Sequence, residues 1–600
     1  MAKTKRAYSF TRRALILGAG KAALASTLLG RLYYLQVLKS DHYKTLSEEN
    51  RIKLELTPPL RGLLLDQYGV KLALNSQHFQ LLLNREETRN VHETIEKVKK
   101  IIPLYENDLE KAFKQMKRVP RFVSVPIKQG LTWKEVSLIE VRLMDLPGIY
   151  VEEGVARDYP YGEILAHTLG YVQPIAESDT IEKKFLRLPN FKIGRAGLEK
   201  MYDERLRGEP GIREVEVNAY HREVRELSHR PSQPGLDMKL TLDFEVQKFA
   251  YERLSQTRSA AAVVMDVRTG GILVMATSPS FDPNLFTDGI NQENWKQLTS
   301  NPYGVLINKT TSGQYAPGST FKPMVALAAL ESGLIHPNDI FVCTGGINLG
   351  NRRFRCWKRS GHGPRNMLTG ISSSCDVYFY NVAMKVGVDR IASMAHKFGL
   401  GQKTKMDFYN EKPGLIPSTD WKRKHYGRAW LKGETLNTGI GQGYALSTPL
   451  QLAQMAARLA TGKEVSPTFY LENDSEPFSK IDIKPEHLAI VQEGMYRVVN
   501  GPEGTAMSSM IHEEGMRMAG KTGTSQVVSL QGAEKAKALH DEFLRWKHED
   551  HALFIAYAPT QSPRYALCVL VEHGGGGSRA AAPIAKDILL YLQTLRKPTS

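Results

Sequence analysis

Gly318-Ser319-Thr320-Phe321-Lys322-Pro323-Met324-Val325-Ala326-Leu327-Ala328-Ala329-Leu330-Glu331 is the stretch around which the chain is organised. Its apolar run from Phe321 reads as the start of a buried helix, which sets Ser319 and Lys322 on one face, three residues apart. No other serine in the 600 residues has a lysine three positions on. A serine hydroxyl is a weak nucleophile until a neighbouring base takes its proton, and a desolvated lysine beside another cation can serve as that base. Taken alone, Ser-x-x-Lys is more often a helix cap with a snorkelling lysine, so the weight has to come from the rest of the chain.

On either side of this helix lie two sets of strand-like segments. Ala260–Val267 and Gly271–Thr277 are apolar and β-rich, joined by a turn at 268–271, which signals an antiparallel hairpin. His551–Tyr557 and Arg564–Glu572 give strands far downstream, and Ala580–Leu595 a closing helix. With helical material between the two sets, this order predicts an α+β domain whose antiparallel sheet is assembled from both ends and flanked by helices. Lys521-Thr522-Gly523-Thr524 opens the last strand set, and no other Lys-Thr-Gly occurs in the chain. Lys521 can pair with a carboxylate, Thr522 and Thr524 can donate to one, and Gly523 leaves room for a substrate backbone. The bland alternative is an edge strand blunted by lysine. Ser374-Cys375-Asp376 lies between the two motifs, where its hydroxyl and carboxylate can bridge Lys322 and Lys521.

Upstream, the prolines and glycine of Ser228–Asp237 read as a hinge, so a second domain is expected over 231–600 and an elongated one over 39–230. Within the first, residues 92–118 carry Glu and Lys with Ile and Leu at helical spacing, and a helical insertion is expected near 85–150. His167 and Glu199 stand without a nucleophile or base beside them and read as structural.

Ala14 to Leu38 is mostly apolar, preceded by Lys3, Lys5, Arg6, Arg12 and Arg13. Lys21 costs roughly 2.5–3.5 kcal/mol near mid-span. About ten Leu, Ile and Val residues at roughly 0.3–0.6 kcal/mol each offset it. A single uncleaved span is expected over 14–38, with residues 1–13 in the cytoplasm and the bulk outside. A cleaved export signal is the alternative, but no small-x-small site follows. The net charge of +17 invites nucleic acid, yet the basic residues are spread widely and no binding signature appears, so no nucleic-acid partner is expected.

Ser319–Lys322, Ser374–Asp376 and Lys521–Gly523, in that order, resemble the Ser-x-x-Lys, Ser-x-Asn and Lys-Thr-Gly motifs of penicillin-binding proteins and β-lactamases. The likeness extends upstream to Arg61-Gly62, Asp66, Gly69, Gly194, Gly197-Leu198-Glu199, Tyr202 and Gly208, which resemble the pedestal of class B penicillin-binding proteins. Asn437–Ala453 resembles their stretch before the Lys-Thr-Gly strand. The chain is thereby similar, over nearly its whole length, to the elongation-specific D,D-transpeptidases of Gram-negative bacteria. That resemblance implies acylation of Ser319 by a peptidoglycan stem peptide or a β-lactam, with Lys322, Ser374, Asp376 and Lys521 moving protons and an oxyanion held by the N–H groups of Ser319 and Thr524. It also implies an inner-membrane anchor, a periplasmic bulk, and a polytopic membrane glycosyltransferase as partner, docked on residues 45–230. Asp376 departs from the usual asparagine: a carboxylate there favours charged lysines, so desolvation and Lys–Lys repulsion have to lower the pKa of Lys322 if it is the base. A β-lactam sensor, a carboxypeptidase and a non-catalytic activator of the glycosyltransferase compete with this reading. A β-lactamase competes less well, because Glu434–Asn437 is one residue short of the class A glutamate loop.

Cys343, Cys356, His362 and Cys375 fall within 33 residues. Three thiols and an imidazole suit a closed tetrahedral zinc site, and the resemblance adds that some elongation-type members carry a metal in this loop. A Cys343–Cys356 disulfide with Cys375 buried is the alternative for an exported domain. Cys568 reads as an ordinary buried thiol.

Overall fold

The computed structural model describes residues 12–38, 52–117, 119, 121, 123–175, 179, 191–217, 223–287, 289–406, 408–470, 477–527 and 541–596. The first helix, α1 (Arg12–Tyr33), continues to Leu38 in a wider turn, and the 27 residues together are long and apolar enough to cross a membrane. None of its side chains is buried.

The chain divides into two compact units. The first takes residues 1–60, 178–191 and 208–234 and holds a three-stranded antiparallel sheet of Ile52–Thr57, Gly211–Val217 and Glu223–Arg230. The second takes 61–177, 192–207 and 235–600. At its start, the long strand Lys71–Leu83 pairs with both Ile149–Asp158 and Val125–Leu131. Helices Val91–Lys99 and Glu106–Met116 form where the polar helical pattern was read. The helical insertion expected near 85–150 also contains a strand, Val125–Leu131, which shares a small core of Leu81, Val98, Val125, Ile127 and Ile139. Pro126 and Gly130 hide that strand in the sequence, since both demote a β reading.

From residue 244 onward the order is α2 (Phe244–Ser255), β1 (Ala260–Asp266), β2 (Ile272–Ser278), α3 (Lys322–Glu331), α4 (Asp376–Val386), α5 (Pro449–Thr461), β3 (Ala519–Ser525), β4 (His551–Ala558), β5 (Tyr565–Val571) and α6 (Ala581–Leu595), with further short elements between. The sheet runs β2-β1-β5-β4-β3, antiparallel throughout, so the expected hairpin of β1 and β2 joins the late strands through β1–β5. Helices α2 and α6 pack together on one face, and α5 covers the sheet elsewhere. Coverage on both faces explains why β1, β2, β4 and β5 read as continuous apolar runs rather than as alternating ones. Burial of α3 is nearly complete from Lys322 to Leu330. Each buried Met, Val or Leu there contributes about 1.5–3 kcal/mol, which fixes the helix that follows Ser319.

Candidate active site

Residues 318–321 form one tight turn leading into α3, and this turn lies against β3, the edge strand of the sheet. Gly318 has φ +54°, and a Cβ on it would stand 2.4 Å from the carbonyl oxygen of Thr524. Its N–H donates to the Gly441 carbonyl at 2.8 Å. Across the contact, a Cβ on Gly523 would stand 2.7 Å from Thr320 Cγ2 and 3.0 Å from the Pro317 carbonyl oxygen. The bare strand position therefore admits the nucleophile turn. The absence of a side chain at Gly523 thus has a structural use besides the expected one of leaving room for a substrate backbone.

Ser319 is half-buried, and among the described residues no side chain is hydrogen-bonded to its hydroxyl. Its N–H belongs to the first turn of a helix, where donors lack an intrahelical acceptor. The Thr524 carbonyl faces out of the sheet and accepts Gln442 Nε2 at 2.8 Å. A strand residue points its N–H and C=O to the same side, so the Thr524 N–H also lies on the open edge. The Thr524 N–H, one of the two expected oxyanion donors, is thus on the side of β3 that the sheet leaves unpaired.

Ser374 is the junction of the site. Lys322 Nζ donates to its carbonyl at 2.8 Å and to its Oγ at 3.2 Å, while Lys521 Nζ reaches the same Oγ at 2.8 Å. Asp376 Oδ1 stands 2.7 Å from Lys322 Nζ. The fold therefore brings Lys322, Ser374, Asp376 and Lys521 together, and both lysines are fully buried. Burial, reinforced by repulsion from Lys322, holds the Lys521 amine well below the usual lysine range, with Asp376 pulling weakly the other way. The Asp376 carboxylate sits on Lys322, and the depressed amine is that of Lys521.

The carboxylate-binding set fares unevenly. Lys521 is wrapped by Ser374 and the Thr522 carbonyl, and Thr522 Oγ1 is 2.8 Å from Thr505 Oγ1. Of the three expected contacts, only the Thr524 side chain is open, being half-buried. Sequence reasoning missed Thr505, Gln442 and Trp357. Trp357 donates its backbone N–H to Asp376 Oδ2 at 2.9 Å and its indole N–H to the carbonyls of Ser373 and Ser374 at 3.2 and 3.1 Å. Its place next to Cys356 was the available signal.

The backbone at Ser374 is strained, with φ +52°. Helix Met367–Ser372 ends with Ser374 N–H on the Ile371 carbonyl and Cys375 N–H on the Gly370 carbonyl. That pattern is a Schellman end, whose left-handed position ordinarily takes glycine. Serine stands there because its hydroxyl is needed between the lysines. Ser374→Gly and Ser374→Ala both delete the hydroxyl, but only alanine keeps the left-handed penalty of about 1 kcal/mol. The glycine variant is expected to unfold at the higher urea concentration of the two; the reverse order would show that the φ is not strained.

Cys343 ends the strand Phe341–Cys343, Cys356 follows the hairpin of Gly346–Leu349 and Arg352–Arg355, and Cys375 precedes α4. His362 Nδ1 is 3.6 Å from Cys343 Sγ and 3.5 Å from Cys356 Sγ, and the ligand atoms of all four residues lie within 4.8 Å of one another. All four are buried, and the thiols are unpaired by disulfides, as is Cys568. Zinc with sulfur at about 2.3 Å and nitrogen at about 2.0–2.1 Å gives tetrahedral S–N edges of about 3.5 Å, which these separations match.

The residues read as structural lie elsewhere. Glu199 is buried between Arg61 and Arg157. His167 lines a separate cavity of about 440 Å³ with Tyr171, Phe281 and Trp295, and burial with Lys309 nearby lowers its pKa to about 3.

A description of the penicillin-binding protein transpeptidase domain matches residues 260–590, and one of the penicillin-binding protein dimerisation domain matches 56–240. The chain is 37% identical over 607 residues to the peptidoglycan D,D-transpeptidase MrdA of Haemophilus influenzae, covering 98% of this chain and 92% of that one. It superposes with a TM-score of 0.80 on a penicillin-binding protein PBP2 solved in complex with MreC from Helicobacter pylori, at 29% identity over 91% of this chain and 100% of that one. A chain in a peptidoglycan synthase complex that coordinates polymerisation and crosslinking gives a TM-score of 0.71 at 29% identity, covering 98% and 100%.

Proposed function

The chain belongs to the class B penicillin-binding proteins, and on that premise we propose that it is a peptidoglycan D,D-transpeptidase working through a Ser319 acyl-enzyme during cell elongation. The observation that carries this reading is the Ser374 hydroxyl gripped by two buried lysines beside the helix that bears Ser319.

Ser319 Oγ attacks the carbonyl joining the two terminal D-alanines of a stem peptide. Its proton passes to Lys322 as Lys322 gives one through Ser374 Oγ to Lys521, the amine on which charge is disfavoured. The N–H groups of Ser319 and Thr524 hold the oxyanion, and Thr524 Oγ1 the terminal carboxylate. As the C–N bond breaks, the departing D-alanine takes its proton back through Ser374, leaving an ester on Ser319. An amine of a neighbouring strand then displaces Ser319, which recovers a proton, and the crosslink is made. A penicillin enters the same route and stays as an ester. The test is a labelled-penicillin turnover assay on the full chain: a long-lived adduct supports the transpeptidase, and rapid release as hydrolysed drug overturns it in favour of a β-lactamase.

The cluster of Cys343, Cys356, His362 and Cys375 fits zinc by its donor set, its burial and its spacing. With four protein ligands such a metal would be structural, and would pin Cys375 and so the strained Ser374 and Asp376. Zinc content measured with thiol titration is expected to give stoichiometric metal. Cys343→Ser is expected to lose the metal, lower the unfolding temperature and slow penicillin acylation; unimpaired acylation in a metal-free protein would end this assignment.

We further infer that α1 anchors the protein in the inner membrane with the basic residues before Ala14 in the cytoplasm and the bulk in the periplasm. Relatives solved with MreC and in a peptidoglycan synthase complex support a membrane assembly here, with residues 45–230 engaging a polytopic glycosyltransferase. Crosslinks from that region chiefly to glycan would count against it.

A further inference from the structure

Beyond Gly441, which packs against Gly318, the surface carries aromatic rings and exposed cations. The rings of Trp421 and Tyr444 are 5.2 Å apart between centroids, and those of Tyr426 and Tyr444 are 5.7 Å apart. Tyr426 is 50% exposed, more than a ring kept only for packing requires. From beneath, buried Lys422 pairs with Glu434, which also accepts the Tyr444 hydroxyl at 3.4 Å and so ties the ring to the helix. Continuity with the site is short: Tyr444 lies two residues after Gln442, whose amide holds the Thr524 carbonyl.

Arg423, Lys424 and Arg428 are exposed on the same segment, and among the described residues none of them makes an ion pair. Helix Thr419–Tyr426 favours basic residues in its last turn, which accounts for Arg423 and Lys424. Neither Arg428, beyond that helix, nor the adjoining exposed ring follows from it. Aromatic faces offer flat, weakly polar surface to the C–H faces of sugars, and the cations offer long-range attraction to carboxylates. Beside a site that acts on stem peptides, the polymer combining both features is the glycan strand with its peptides attached.

We propose that Trp421, Tyr426 and Tyr444, with Arg423, Lys424 and Arg428, form a subsite for the uncrosslinked peptidoglycan strand, sugars stacking on the rings and stem carboxylates facing the cations. This rests on the transpeptidase reading and extends its substrate from a peptide end to a polymer. An anionic membrane surface is the competing partner.

The test uses the full chain in detergent with three probes: enzymatically polymerised uncrosslinked glycan strands, the same strands stripped of stem peptides by an amidase, and vesicles rich in phosphatidylglycerol. The triple variant R423E/K424E/R428E is expected to weaken binding of peptide-bearing strands by about tenfold while changing binding of stripped strands little. Tyr426→Ala is expected to weaken both. Acylation by a small labelled penicillin, which does not reach the shelf, stays within about twofold in each variant, since exposed substitutions leave the fold intact. Equal strand binding in wild type and variants overturns the subsite, as does a charge-dependent loss seen only with vesicles. A wild-type protein that binds strands in this pattern yet takes no penicillin would sink the transpeptidase reading and leave the subsite standing.

Discussion

Ser319→Ala is expected to abolish covalent labelling by a penicillin and the release of D-alanine, while the protein unfolds where the wild type does. The hydroxyl that is lost is half-buried and makes no side-chain hydrogen bond among the described residues, so its removal strands no partner. The position of the turn comes instead from the backbone: Gly318 N–H on Gly441, the close approach of Gly318 to Thr524, and the buried apolar side of α3. A surface-type deletion of that kind changes stability by no more than about 0.5 kcal/mol. Ser374 does not compete for ester formation, because it is 4% exposed and its hydroxyl is taken by both lysines. Intact-mass spectrometry after incubation with a penicillin reads the adduct directly. An adduct persisting on the alanine variant at any other serine would overturn the assignment of the nucleophile.

Much of this site was legible because its parts are local patterns. The helix after Ser319 shows as an apolar run, the hairpin of β1 and β2 as two β-rich segments round a turn, and the three motifs as fixed spacings of uncommon residue types. What the sequence concealed depends on which long-range neighbour each residue meets. Gly523 looks the same whether substrate or the turn at Pro317–Thr320 fills the space beside it. Trp357 is one exposed aromatic among many until its two N–H groups are seen on Ser374 and Asp376. The electrostatic difference between Lys322 and Lys521 is likewise a matter of geometry: Asp376 is near both in sequence logic, but its oxygen sits 2.7 Å from Lys322 alone. Upstream, Pro126 and Gly130 disguised a strand that the neighbouring Lys71–Leu83 imposes by pairing.

That difference also gives the middle motif its sense. With asparagine at 376, Lys322 Nζ would lose the carboxylate oxygen that stands 2.7 Å from it. With aspartate, the carboxylate rests on Lys322, while burial and repulsion from Lys322 hold the Lys521 amine well below the usual lysine range. The carboxylate's second oxygen is occupied by the Trp357 N–H, which keeps the first aimed at Lys322. Trp357 thus acts as a positioning residue, and it is carried by the same loop that supplies Cys356 and His362.

The largest expected loss of stability lies far from this chemistry, at Glu199. Its carboxylate takes Arg61 Nε at 2.6 Å and Arg157 Nε at 2.7 Å, with the Tyr159 hydroxyl at 3.3 Å. Burial alone would push Glu199 up, but Arg157 and Arg61 overcome it and hold the carboxyl below the usual range. Arg157 also donates to the Gly62 carbonyl at 2.8 Å, and Arg61 reaches Asp203 at 2.8 Å, so one carboxylate ties together segments near residues 61, 157 and 199 within the second unit. Removing one member of a buried ionic cluster leaves the others as uncompensated buried charge, a cost of about 3–5 kcal/mol. Glu199→Ala leaves the fully desolvated Arg157 without its carboxylate and is expected to lose that much against urea. Because the folded carboxyl titrates below its unfolded value, its contribution is present above the unfolded pKa and is lost as pH falls through the folded one. The stability gap between wild type and Glu199→Ala should therefore be full at neutral pH and shrink below about pH 4, where the unfolded carboxyl protonates. The fraction that remains folded should still label at Ser319, since none of these groups touches the site. A variant as stable as wild type but unable to take penicillin would show that Glu199 serves the reaction and not the frame.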